Sequence, residues 1–171
     1  MKIVGNNSIF AVEYEVTDKK ELMGYARIWF NGEYIGSKKE LIYLKSYLLE
    51  RLKRISEKKI LNINNDNIIE KYNLLENRLN DLEDNDIHKY LVSFGTLSDD
   101  YTIFSYLTDD DFICVIWKLV GDYPCFDDIN YNDRNVKFFK ILKKDYLIEL
   151  EKIEKDIYDS VYPPDNYGFA K

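Results

Sequence analysis

Residues 112–119 read Phe-Ile-Cys-Val-Ile-Trp-Lys-Leu, and in an extended backbone, where side chains alternate between faces, both faces of this stretch are apolar. Phe112, Cys114 and Ile116 take one side; Ile113, Val115, Trp117 and Leu119 take the other. A strand that must be covered on both sides belongs in the middle of a fold. The chain can supply the cover, since 46% of its residues are hydrophobic and only 3 Pro and 7 Gly interrupt it, far from the composition of a disordered segment. Its length of 171 residues is that of one domain, so residues 1–171 are expected to form a single unit.

The rest of the chain alternates between two periods. Phe10, Val12, Tyr14 and Val16 share one side of an expected strand, with Ala11, Glu13 and Glu15 on the other. Residues 25–30 read as a second strand, and Asn31-Gly32, a pair that tolerates the positive φ of a type I′ turn, returns the chain through residues 33–35. Ser37-Lys38-Lys39-Glu40 has the form of a capping box and predicts a helix starting there, with Leu41, Leu44, Leu48, Leu52 and Ile55 as its buried stripe. A second helix is expected over residues 68–82, capped by Asn67 with Glu70 and facing inward through Ile68, Tyr72, Leu75, Leu79 and Leu82; residues 62–67 connect the two.

Beyond it, residues 90–94, 101–107 and 112–119 are strand-like, with Thr108-Asp109-Asp110-Asp111 as a hairpin loop. Residues 136–142 predict a last strand. Tyr146, Leu147, Leu150, Ile153, Ile157 and Val161 then trace a terminal helix that stops before Pro163-Pro164. The expected fold is α+β: a mainly antiparallel sheet with two central helices and a C-terminal helix packed on it. Trp29 and Trp117 fall inside strands and are expected in the core.

Charge is distributed unevenly. The net charge is −7, but between Asp81 and Asp133 thirteen carboxylates face two lysines, Lys89 and Lys118, a local balance of −11. Such a field repels nucleic acid and speeds encounter with a cationic protein, while also serving solubility. Asp109, Asp110 and Asp111 lie at one end of the expected hairpin and Asp99, Asp100 and Asp122 at the other, about 20 Å away along a strand. One metal ion cannot gather both groups, and the ligand spacing of a calcium loop is absent.

Few routes to catalysis exist. His88 is the only histidine, which removes most nucleophile–base pairs and multi-imidazole zinc sites. Cys114 falls mid-strand among apolar residues and is expected to be a buried, inert thiol; no Cys-x-x-Cys spacing links it or Cys125 to a metal. The seven glycines are scattered, with no phosphate-binding loop, and no cofactor is expected. Nor is a secretory segment, and the longest apolar run, residues 112–117, is too short to span a membrane, so a cytosolic address is expected.

Ile3-Val4-Gly5, Phe10-Ala11-Val12-Glu13-Tyr14-Glu15-Val16 and Trp29-Phe30-Asn31-Gly32-Glu33-Tyr34-Ile35-Gly36 together resemble the opening of the bacterial immunity proteins numbered forty-two among polymorphic toxin systems. The resemblance is clearest from Met1 to about Leu52. It implies a cytosolic protein that binds a cognate toxin and blocks it, without catalysis of its own, and it designates no binding residue.

The charge pattern supplies candidates for that role. Acidic turns would face a basic toxin such as a nuclease, their carboxylates taking the place of phosphate. The candidate partner-binding residues are Asp109, Asp110 and Asp111, then Asp99, Asp100, Tyr101, Asp127 and Asp128. Two other classes stay open at this stage: a generic protein-interaction or oligomeric module, and a metal-dependent hydrolase.

Overall fold

The structure, a computed structural model, describes residues 1–61, 63, 67–81, 83–123 and 125–162. It is α+β, as expected, and its strands divide between two antiparallel sheets. The first contains β1 (Lys2–Asn6), β2 (Phe10–Asp18), β3 (Met23–Phe30), β4 (Glu33–Ile35) and β5 (Leu41–Tyr43). The helices α1 (Glu50–Ser56) and α2 (Ile68–Leu79) follow. The second sheet runs in the order β6 (Leu91–Val92), β7 (Tyr101–Leu107), β8 (Phe112–Leu119) and β9 (Lys137–Leu142), and α3 (Lys143–Val161) comes last.

The two-faced character of residues 112–119 organises everything else. Ile113, Val115 and Trp117 of β8 enter one large core with Phe10, Val12, Ile28 and Phe30 of the first sheet, Leu52 and Ile55 of α1, and Tyr146, Leu150, Ile153 and Ile157 of α3. Cys114 and Ile116 enter a second cluster with Phe104, Tyr106 and the α2 residues Tyr72 and Leu75. Each such side chain removed from water contributes about 1.5–3 kcal/mol, so β8 is held from both sides. Tyr146 Oη also donates to the Leu52 carbonyl at 2.9 Å, tying α3 to α1. Leu147, expected on the inner stripe of α3, is instead 42% exposed.

Local signals account for several boundaries. Asn31 and Gly32 take φ of 54° and 82°, the left-handed pair that a type I′ turn requires. Asn67 Oδ1 accepts from the N–H groups of Ile69 and Glu70 at 3.0 and 3.3 Å, capping α2 as expected. The helix ends at Leu79; Leu82, most of the 62–67 connector and Pro163-Pro164 lie outside the described residues. The expected strand 90–94 shortens to β6, with Phe94 bridging to Thr96.

Ser37 does not start a helix. Residues 41–43 extend as β5 and pair with residues 23–25 of β3, on the same edge that β4 occupies beside residues 28–30. Helical geometry begins only at Leu44, in a wide π-helical turn (Leu44–Leu49) that leads into α1. Leu44, Leu48, Leu52 and Ile55 form the expected stripe, but Leu41 lies on β5 and is 47% exposed. The cause is tertiary: β3 has a free edge, and the Ser37 hydroxyl is taken by Asp128, 91 residues away. Residues 36–40 therefore make an excursion that splits one edge strand into β4 and β5. Gly36, at φ 95°, opens it; a Cβ there would lie 2.3 Å from Leu97 Cδ1.

The side of β2 expected to be polar is covered at Ala11 and Glu13, while Glu15 stays exposed. Glu13 is 7% and Ala11 0% exposed; Glu13 pairs with Lys38 at 3.2 Å and stands opposite Arg27 of β3.

Candidate functional site

The break in the edge strand receives a second segment of chain. Residues 120–123 and 125–136 lie against the ends of both sheets, and Asp128 is their anchor. Its carboxylate accepts from Arg27 Nη2 at 2.7 Å, the Ser37 hydroxyl at 2.7 Å and the Lys38 N–H at 2.8 Å, while its carbonyl accepts from Tyr34 Oη at 2.6 Å. Burial pushes the Asp128 carboxyl up, but the hydrogen bonds from Ser37 and Lys38 and the Arg27 charge outweigh it and hold the group below the usual carboxylate range. Asp128, a candidate for partner contact, is thus engaged within the chain.

Asp100 anchors the other side of the same segment. Its carbonyl accepts from the N–H groups of Val120 and Gly121 at 2.8 and 2.9 Å, and its carboxylate accepts from Tyr131 Oη at 2.7 Å. Asp99 is exposed and, among the described residues, has no ion-pair partner. Asp127 is exposed and pairs with Lys39 at 2.6 Å. Glu40 lies near Asp99 and Asp100; burial first, and then the charges of those two acids, push its carboxyl up against a lowering hydrogen bond with Thr96. Carboxylates that repel one another in this way are relieved by an incoming cation.

Asp99, Asp100, Tyr101, Asp127 and Asp128 are therefore gathered at one end of the molecule. Asp109, Asp110 and Asp111 are not among them: they form the β7–β8 turn, one strand length away, and all three are exposed without ion-pair partners among the described residues. Asp111 takes φ 59°, and its carbonyl accepts from the Lys143 N–H at 2.9 Å, so the turn abuts the start of α3. Asp111, Lys143 and Lys144 line one shallow groove there, which brings cations close to the triple aspartate.

A cavity of about 240 Å³ opens at the first end, between the β3–β4 hairpin and residues 129–137. Tyr34, Tyr101 and Trp117 are among its walls, and Glu33 and Asp133 reach its rim. Lys137 Nζ lies between those two carboxylates, 3.0 Å from Glu33 and 2.8 Å from Asp133. Glu33, Glu40, Asp133 and Lys137 were not legible as site residues from the sequence, because Glu33 and Lys137 meet across 104 positions. The one available signal was strand parity, which puts Trp117 and Leu119 on the same face of β8.

The remaining candidates stand apart from this end. Cys114 is buried, with its thiol pushed up by burial, and Cys125 is exposed; neither is in a disulfide. His88 is exposed in a single 3₁₀ turn, Ile87–Lys89. Among the described residues no three His, Cys, Asp or Glu side chains are grouped to hold a metal ion, and no helix is long and apolar enough to cross a membrane.

The acidic end thus carries a cavity walled by Tyr34, Tyr101 and Trp117, with Glu33 and Asp133 beside it. A family model for immunity protein 42 matches residues 1–166, and the chain belongs to that family. Membership points to a toxin-neutralising role exercised by binding a toxin protein. No curated protein and no solved structure matches the chain.

Proposed function

We propose that this chain is an immunity protein that binds a cognate cationic toxin, such as a nuclease, in the cytosol and neutralises it through an acidic surface, without catalysis or cofactor. The observation that carries the toxin-binding role is the family match over residues 1–166. The acidic surface rests on the grouping of Asp99, Asp100, Tyr101 and Asp127 with Glu33, Glu40 and Asp133 around one cavity-bearing end. Basic side chains that a nuclease uses for phosphate fit this surface by charge-assisted hydrogen bonding. Asp109, Asp110 and Asp111 add a second acidic point that steers approach.

The test is co-purification with the C-terminal domain encoded by the upstream neighbouring gene, at low and high salt. A one-to-one complex that weakens with salt supports the reading; no complex at either salt removes it. A second reading, an oligomeric module, has one observation in its favour. Leu142, Leu147 and Ile148 are 44%, 42% and 43% exposed where β9 meets α3. Mass that rises with protein concentration would support it.

A further inference from the structure

The cavity at the acidic end combines aromatic walls, Tyr34, Tyr101 and Trp117, with the carboxylates of Glu33 and Asp133. We propose that it is the seat of a partner arginine, and that the Lys137 ammonium occupies the guanidinium position until that arginine displaces it. The inference rests on the toxin-binding reading and names the chemistry of the partner group.

Size comes first: about 240 Å³ is below the ~300–1,000 Å³ of ordinary small-molecule sites and suits a single side chain. Its walls are preorganised. Tyr34 is fixed by its hydrogen bond to the Asp128 carbonyl at 2.6 Å and by the Arg27 guanidinium 4.0 Å from its ring centre. Trp117 is 2% exposed and packs 5.7 Å from Phe30. Aromatic walls suit both the alkyl stem and the planar head of arginine.

The rim carries the charge. Glu33 and Asp133 both point oxygens at one spot, since a single ammonium lies 3.0 and 2.8 Å from them. An ammonium on a flexible four-carbon stem is a point charge, whereas a guanidinium offers a fork of donors that can bond both carboxylates at once. The Lys137 side chain is itself 22% exposed, and Glu33 and Asp133 beside it are 51% and 31% exposed, so both carboxylates are open to a cation arriving from solvent. The pair therefore exchanges its internal cation for an external one without leaving a carboxylate bare.

The test needs no toxin. The whole protein is titrated with N-acetyl-arginine amide, with the lysine amide, and with the citrulline amide, which has arginine's shape without its charge; the Trp117 indole N–H is followed by NMR. A saturable shift with a Kd of roughly millimolar order, at least about tenfold weaker for citrulline, supports the seat. Glu33→Gln should weaken arginine about fivefold or more, and Lys137→Met, which removes the resident cation, should tighten it severalfold. No saturable shift in either the wild type or Lys137→Met overturns the proposal, as does a citrulline response equal to arginine's. Lysine amide binding as tightly as arginine overturns the assignment to a forked guanidinium. Failure here leaves the toxin complex to be judged by co-purification alone, so the two results separate.

Discussion

Arg27 and Asp128 stand 101 residues apart and meet at 2.7 Å, with 7% and 17% of their side chains exposed. The pair fastens the segment over the acidic end to β3. Replacing Asp128 with Ala would leave the buried Arg27 guanidinium without its carboxylate partner, keeping the Asp128 carbonyl at 3.0 Å, and would take an acceptor from the Ser37 hydroxyl and the Lys38 N–H. Breaking such a pair costs about 3–5 kcal/mol, so Asp128→Ala should lower the urea midpoint by that equivalent. A loss under about 1 kcal/mol would mean that the segment is not held by this pair.

Acid should unfold the protein through the same group. The Asp128 carboxyl is held below its ordinary value, and so is that of Asp156, where hydrogen bonds from Lys2 and Tyr14 outweigh the upward push of burial. A depressed folded-state pKa contributes stability that is present above the unfolded value of about 3.9 and lost as pH falls through the folded one. The melting temperature should therefore be flat near neutrality and fall below about pH 4. Asp128→Asn should start lower at pH 7 and fall less steeply in acid; parallel curves would assign the acid limb to other groups.

The outer layer can be tested through α2. Leu75 is 0% exposed against the β7 and β8 residues of the second cluster, so Leu75→Ala should cost about 2–5 kcal/mol in chemical denaturation. If α2 were only loosely attached, the site would collapse and the cost would drop below that range.

Binding kinetics distinguish the two acidic points. Changing Asp99 and Asp127 to Asn should slow association with the toxin domain about tenfold at low salt and flatten its salt dependence. The same change at Asp109, Asp110 and Asp111 should have the smaller effect, because that turn lies one strand length away from the cavity-bearing end. Stopped-flow rates at two ionic strengths decide it; the reverse order would move the interface to the β7–β8 turn.

Wherever nearest neighbours along the chain govern conformation, the elements were readable in advance. Alternation announced β2, a continuous apolar run announced β8, Asn31-Gly32 announced its turn through positive φ, and Asn67 announced the start of α2, because these signals act within a few residues. The misread segment was Ser37 to Glu40. Its capping-box pattern is real, but Asp128 takes the Ser37 hydroxyl and β3 takes residues 41–43, and both competitors come from elsewhere in the chain.

The acidic end followed the same division. Its excess of carboxylates is a property of composition, visible without a fold. Which of them face solvent is not: Asp128 is consumed by Arg27, Asp99 is left exposed, and Glu33 joins Asp133 around Lys137. Such choices belong to tertiary structure because a charge only a few ångströms away through space can be a hundred residues away along the chain, and hydrogen bonds and ion pairs answer to the first distance alone.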